Sequence, residues 1–141
     1  MIWIVDANVI VTLCQRGALE ALARGNPPFW VPEQVDDELT ARPDKYPAQV
    51  QQYEAAKAQG LIVVMPVTPG SPEYSEYDRL RRKRGNVARN RGEDACVALA
   101  LIHPGTLVCT GDANGLNRAT MELGGAARVK NREELLALLG L

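Results

Sequence analysis

Arg91-Gly92-Glu93-Asp94-Ala95-Cys96-Val97-Ala98-Leu99-Ala100-Leu101-Ile102 leads, through His103-Pro104-Gly105, into Thr106-Leu107-Val108-Cys109-Thr110-Gly111-Asp112. The first segment carries eight apolar residues in succession, Ala95 to Ile102, so as a helix it has no wet face and belongs at the centre of a layer. Pro104-Gly105 stops it. The second segment is a short apolar run closed by a carboxylate, the pattern of a parallel strand buried on both faces.

The same alternation extends outward. Ile2–Val5 is another short apolar run, closed by Asp6, and a helix is expected from about Asn8 to Arg24. Gly25-Asn26-Pro27-Pro28 stops that helix, and Pro32 suits the first turn of another, Glu33 to Ala41, which Pro43 ends. Residues 45–59, rich in Ala, Gln, Lys and Glu, read as a surface helix stopped by Gly60, and Leu61–Met65 as a second buried strand. Beyond Pro66, Pro69, Gly70 and Pro72 a polar helix spans about 73–84. Thr106–Thr110 is then a third strand, Asn114 to Leu123 a helix, Ala127–Val129 a fourth strand and Arg132 to Leu139 a closing helix. This order predicts a single domain over residues 1–141, an α/β fold in which a three-layer α/β/α sandwich encloses a central, mainly parallel sheet of four or five strands.

With 141 residues, 46% hydrophobic and 23% charged, the chain can bury a core without a disulfide framework or a structural metal. Sixteen basic and seventeen acidic residues leave a net charge of -1, so bulk charge steers it toward neither nucleic acid nor membrane. Cys14, Cys96 and Cys109 form an odd set among apolar neighbours, the signature of reduced core thiols in a cytoplasmic protein. With His103 the only histidine and no close Cys pair, zinc is not expected; His103 itself reads as a helix-end cation. No apolar run reaches membrane-spanning length, and Met1–Asp6 lacks the features of a signal peptide, so the mature chain is expected to start here.

Parallel sheets bind ligands beyond the carboxyl ends of their strands, which singles out Asp6 and Asp112. On a helical wheel Val31, Val35 and Leu39 form one stripe, with Glu38 about 60° from its centre, while Asp36 and Asp37 face solvent. Asp94 shares a side with Val97, Ala98 and Leu101, so its carboxylate points into protein; desolvating it costs several kcal/mol, beyond what a first-turn dipole offsets. Asp6, Glu38, Asp94 and Asp112, from four separate elements, can therefore converge at one sheet edge. Such a cluster persists if hard divalent ions neutralise it, and an all-oxygen set matches Mg²⁺ or Mn²⁺. Two such ions suit in-line phosphoryl displacement.

Taken in order, Ile4-Val5-Asp6-Ala7-Asn8-Val9-Ile10, Val31-Pro32 through Glu38-Leu39, Gly92-Glu93-Asp94-Ala95, and Leu107-Val108-Cys109-Thr110-Gly111-Asp112 resemble the motifs of the PIN-domain family of metal-dependent ribonucleases, and within it the VapC-like toxins of toxin–antitoxin pairs. The resemblance implies that Asp6, Glu38, Asp94 and Asp112 bind metal and carry catalysis. It also implies that Asn8 and Thr110 support them, and that Glu93 substitutes for Asp94 or adds a ligand. It further implies an RNA substrate, a cognate antitoxin and a homodimer, with no membrane partner. Asn114 stands where many relatives have another acid, so a second metal would be the more weakly held.

Seven basic residues and no acid lie between Arg79 and Arg91. Arg81, Arg82, Lys83, Arg84, Arg89 and Arg91 are the candidates for RNA phosphate contacts, against the alternative of a solvated helix face, and Arg118 is a lesser one. Aromatic residues make up only 5% of the chain, so an extensive base-stacking platform is not expected; Trp3 reads as core and Trp30 as core or contact. The competing functions are a non-catalytic RNA-binding module and a metal-dependent phosphohydrolase acting on a small substrate.

Overall fold

The structure, a computed structural model, describes residues 1–20, 28–85 and 91–141. Five strands, β1 (Ile2–Val5), β2 (Phe29–Pro32), β3 (Ile62–Met65), β4 (Thr106–Thr110) and β5 (Val129–Asn131), form one sheet in the order β3-β2-β1-β4-β5. The pairings are parallel, with Val5 opposite Cys109 and Pro32 opposite Met65. The central strand is thus the first in the chain, and the winding direction reverses between β1 and β4. A crevice opens at such a reversal, beyond the strands' carboxyl ends.

Among the described residues seven helices cover the sheet: α1 (Ala7–Gln15), α2 (Glu33–Thr40), α3 (Pro47–Ala58), α4 (Pro72–Lys83), α5 (Arg91–Ile102), α6 (Ala113–Glu122) and α7 (Arg132–Leu138). Right-handed crossovers put α1, α3 and α7 on one face and α4, α5 and α6 on the other. Helix α5 is the apolar helix read from the sequence: it lies across β2, β1 and β4 beneath α4, and Gly92 through Ala100 are all buried. Helix α2 closes the carboxyl end of the sheet against α5 and α1 through its Val35 and Leu39 stripe. Cys14, Cys96 and Cys109 are free and buried. Among the described residues no helix is long and apolar enough to cross a membrane.

Several expectations change, among them the fourth strand, which runs over Val129–Asn131 behind a 3₁₀ turn at Ala126–Arg128 rather than over Ala127–Val129. Helix α1 ends at Gln15, because Gly17 takes a left-handed turn (φ 63°) and Ala18 N–H returns to the Leu13 carbonyl; residues 21–27 lie outside the described ones. Strand β2 occupies residues between Pro28 and α2 where no strand is expected, with Pro32 ending the strand and standing at the N-cap of α2 rather than in its first turn. There Trp30 is half-buried, edge-on to His103 at 5.3 Å, and Phe29 stacks on Trp3. Asp36 is half-buried rather than fully solvated: it accepts from Tyr53 Oη and Lys57 Nζ, both at 2.8 Å, tying α2 to α3.

Candidate active site

Asp6 leaves β1 at the winding reversal and caps α1, its Oδ1 accepting from Ala7 N–H at 2.7 Å. Its own N–H continues the β1–β4 ladder to the Cys109 carbonyl, which sets it beside Thr110. Thr110 Oγ1 donates to Asp6 Oδ2 at 3.3 Å and accepts from Asp112 N–H at 3.4 Å, so one buried hydroxyl positions both aspartates. Asp112 caps α6 through Asn114 N–H. Asn8 Oδ1 accepts from Gly111 N–H at 3.2 Å and pins the β4–α6 turn to α1.

Glu38 enters from α2 at the exposed rim, and Gly92 permits the approach. A Cβ on Gly92 would lie 3.0 Å from Val35 Cγ2, 3.2 Å from Glu38 Oε2 and 3.3 Å from Asp6 Oδ1, so the two carboxylates converge over the missing side chain. Glu93 arrives from the next position of α5. A Cβ on Gly115 would sit 2.7 Å from its Oε1, which shows how tightly α6 closes on it.

The electrostatics agree with the packing. Burial, reinforced by Glu38 and Asp112, raises the Asp6 carboxyl to about 6 against the Ala7 and Thr110 hydrogen bonds. Burial and the neighbouring Asp6 raise Glu93 to about 7, with Arg118 opposing and Asp112 adding to the rise. Glu38 is raised by burial. Anions forced together in a poorly solvated crevice hold protons above their ordinary range.

Asp94 is held by arginines. Arg84 Nε donates to its two oxygens at 3.0 and 3.3 Å, Arg84 Nη2 also bonds Oδ2, and Arg118 Nη1 is 3.7 Å from Oδ1. Arg118 Nη2 bonds Glu93 Oε2, and among the described residues it is the one cation paired with a carboxylate of the Asp6, Glu38, Glu93 and Asp112 group. Helical spacing favours Asp94 by putting it on an apolar side, but α5 is apolar all round and the wheel has nothing to discriminate. The Arg84 and Arg118 partners come from outside α5, and no local pattern announces them.

Most of the basic run is engaged. Arg79 pairs with Glu76 and Glu122, Arg81 and Arg82 with Asp78, Lys83 with Glu122, and Arg84 with Asp94. Arg91 is exposed at the start of α5; Arg89 lies outside the described residues.

Among the described residues no three His, Cys, Asp or Glu side chains form a ready-made metal cage. The donor chemistry nevertheless suits a hard cation: the group offers only oxygens, Gly92 brings two of the carboxylates together with no side chain between them, and burial with neighbouring charge raises Asp6 and Glu93.

A parallel sheet in this order, with acids gathered at its winding reversal, defines a doubly wound α/β domain with an acidic crevice at the usual ligand position. The sequence model of the PIN domain matches residues 2–123, and the chain belongs to that family. PIN domains are generally nucleases and usually use divalent metals. The crystal structure of PAE2754 from Pyrobaculum aerophilum is similar over 98% of this chain and 88% of that one, with a TM-score of 0.60 and 17% identity, a likeness of fold. No curated protein matches the chain.

Proposed function

We propose that the chain is a Mg²⁺- or Mn²⁺-dependent endoribonuclease whose ion is held by Asp6, Glu38, Glu93 and Asp112. The observation that carries this is the convergence of Asp6 and Glu38 over Gly92, with Glu93 close enough to feel the charges of Asp6 and Asp112. Only one arginine offsets them among the described residues, so the group has a strong demand for further positive charge. A bound divalent ion supplies that charge, polarises a phosphodiester and lowers the pKa of water.

The protein's part is positioning. Thr110 Oγ1 and Ala7 N–H fix both oxygens of Asp6, and Asn8 fixes the turn that carries Asp112. Glu93 takes the ligand place for which helical spacing favours Asp94; the Arg84 pairing supports Asp94 as a tether for the arginines behind the site. The toxin role, a cognate antitoxin and a homodimer are carried by the family resemblance; growth arrest on expressing the chain alone, absent with Asp6→Asn, tests the first.

The enzymatic reading is tested by incubating the purified chain with mixed single-stranded RNAs, with Mn²⁺ or with chelator. Cleavage that needs Mn²⁺ and is lost in Asp6→Asn and Glu93→Gln is expected. Cleavage surviving in both variants, or in chelator, overturns it, and metal-dependent hydrolysis of small phosphate esters alone would replace RNA as substrate.

A further inference from the structure

The basic run of α4, where the sequence points to RNA binding, has its side chains occupied by Glu76, Asp78, Glu122 and Asp94. The opposite flank of the acidic crevice is built differently. From Asn8 and Glu38 a hollow of about 410 Å³ runs between α1 and the end of α2, walled farther out by Arg42, Tyr46 and Gln49. A second hollow of about 340 Å³ continues it along α1 and α3, sharing Gln15, Tyr46 and Gln49 with the first and adding Lys45 and Gln52. The two hollows lie side by side, running outward from Glu38 past the ring of Tyr46 that both share, and together form one groove.

Its chemistry is that of a single-strand track. Tyr46 is 47% exposed, unusual for a residue of its size, and its backbone is held by a 2.9 Å bond from its N–H to the Arg42 carbonyl. The Lys45 ammonium lies 5.3 Å from the ring centroid, leaving the other ring face uncovered by it. Arg42 is 60% exposed and forms a two-point pair with its exposed neighbour Asp44, at 3.3 and 3.4 Å; a pair in open solvent contributes little, so Arg42 can exchange that partner for a phosphate. Gln15, Gln49 and Gln52 offer neutral amides that can donate to or accept from base edges. An exposed ring beside cations is how sequence-tolerant single-strand sites hold a base.

We propose that the groove between α1 and the α2–α3 connection binds single-stranded RNA, with one base stacked on Tyr46 and the backbone held by Arg42 and Lys45 on its way to the acidic crevice. The proposal rests on the ribonuclease reading for the reason RNA enters the groove, but its binding test needs no cleavage.

The experiment measures fluorescence anisotropy of a short labelled oligouridylate with the whole chain in excess chelator. Tyr46→Ala is expected to weaken binding about tenfold or more, and Tyr46→Phe to restore it. Arg42→Ala with Lys45→Ala should flatten the slope of log affinity against log salt by about 0.7 for each phosphate that is no longer neutralised, whereas Arg82→Ala should leave it unchanged. Wild-type affinity in folded Tyr46→Ala, an equal weakening in Arg82→Ala, or no binding of the oligonucleotide by the wild type overturns the groove. A changed sedimentation coefficient in Tyr46→Ala with RNA affinity intact would assign the face to a protein partner and likewise overturn it. Binding by the wild type that depends on Tyr46, without cleavage in Mn²⁺, would leave the groove standing and remove the nuclease reading.

Discussion

Asp6→Asn should make the metal-free protein more stable, and the gain should depend on pH. The Asp6 carboxyl moves from 3.8 to about 6 on folding, with burial the first cause. Between those values the folded chain keeps a proton that the unfolded chain has released, so the native state binds more protons and stability falls as pH rises. The contribution is fully present below about pH 4 and lost once pH passes about 6. About two pKa units correspond to about 3 kcal/mol. Asparagine keeps an acceptor for Ala7 N–H but cannot ionise, so it escapes the loss. Urea denaturation in chelator should therefore give nearly equal stabilities near pH 4, and a variant more stable by about 3 kcal/mol near pH 8. With saturating Mn²⁺ the order should shrink or reverse, since an ion at about 100 times its dissociation constant adds roughly 2.7 kcal/mol to the chain that binds it. A variant no more stable than wild type near pH 8 would refute the idea that Asp6 is a desolvated, uncompensated anion.

Arg118→Ala removes the cation that competes for Glu93, so calorimetry should show Mn²⁺ binding about tenfold tighter, the equivalent of an ion pair worth about 1.4 kcal/mol; unchanged or weaker binding would contradict that competition. Gly115→Ala places a carbon where the Glu93 carboxylate lies and should lower Mn²⁺ affinity and RNA cleavage with little loss of thermal stability, because the end of a side chain can move; unaltered cleavage would show that Glu93 need not stay where it is. Arg128 donates to the carbonyls of Ala100, His103 and Thr106, closing the end of α5 against β4. Arg128→Ala should cost about 1.5–3 kcal/mol in chemical denaturation, without changing Mn²⁺ affinity.

The layer order was legible because parallel strands and the helix that covers them are apolar throughout, and Ile2–Val5, Ala95–Ile102 and Thr106–Thr110 are such runs. Asp6 is legible because it closes a strand, and Asp112 because it lies just past one. Strand β2 was hidden by its flanks: four residues ending in proline look like a loop until Val31 and Pro32 are seen paired with Val64 and Met65. The choice between Glu93 and Asp94 was hidden for a different reason. Adjacent residues at the start of a helix buried on every side both point into protein, and only the tertiary positions of Asp6, Arg84 and Arg118 separate them. The ion pairs of the basic run are not legible in the sequence because one of its partners, Glu122, is far away in the chain. An isolated Tyr46 carries no signal in the sequence, since its exposure depends on how the α2–α3 connection is held against α1.

Carboxylates from separate elements that gather into a site for a hard cation should reveal themselves in crystals grown with Mn²⁺, through an anomalous difference map. A peak bonded to Asp6 and to at least one of Glu38, Glu93 and Asp112, with Asp94 still held by Arg84, is the expected result. No peak in the crevice at saturating Mn²⁺, or a peak on Asp94 with Arg84 displaced, would contradict it.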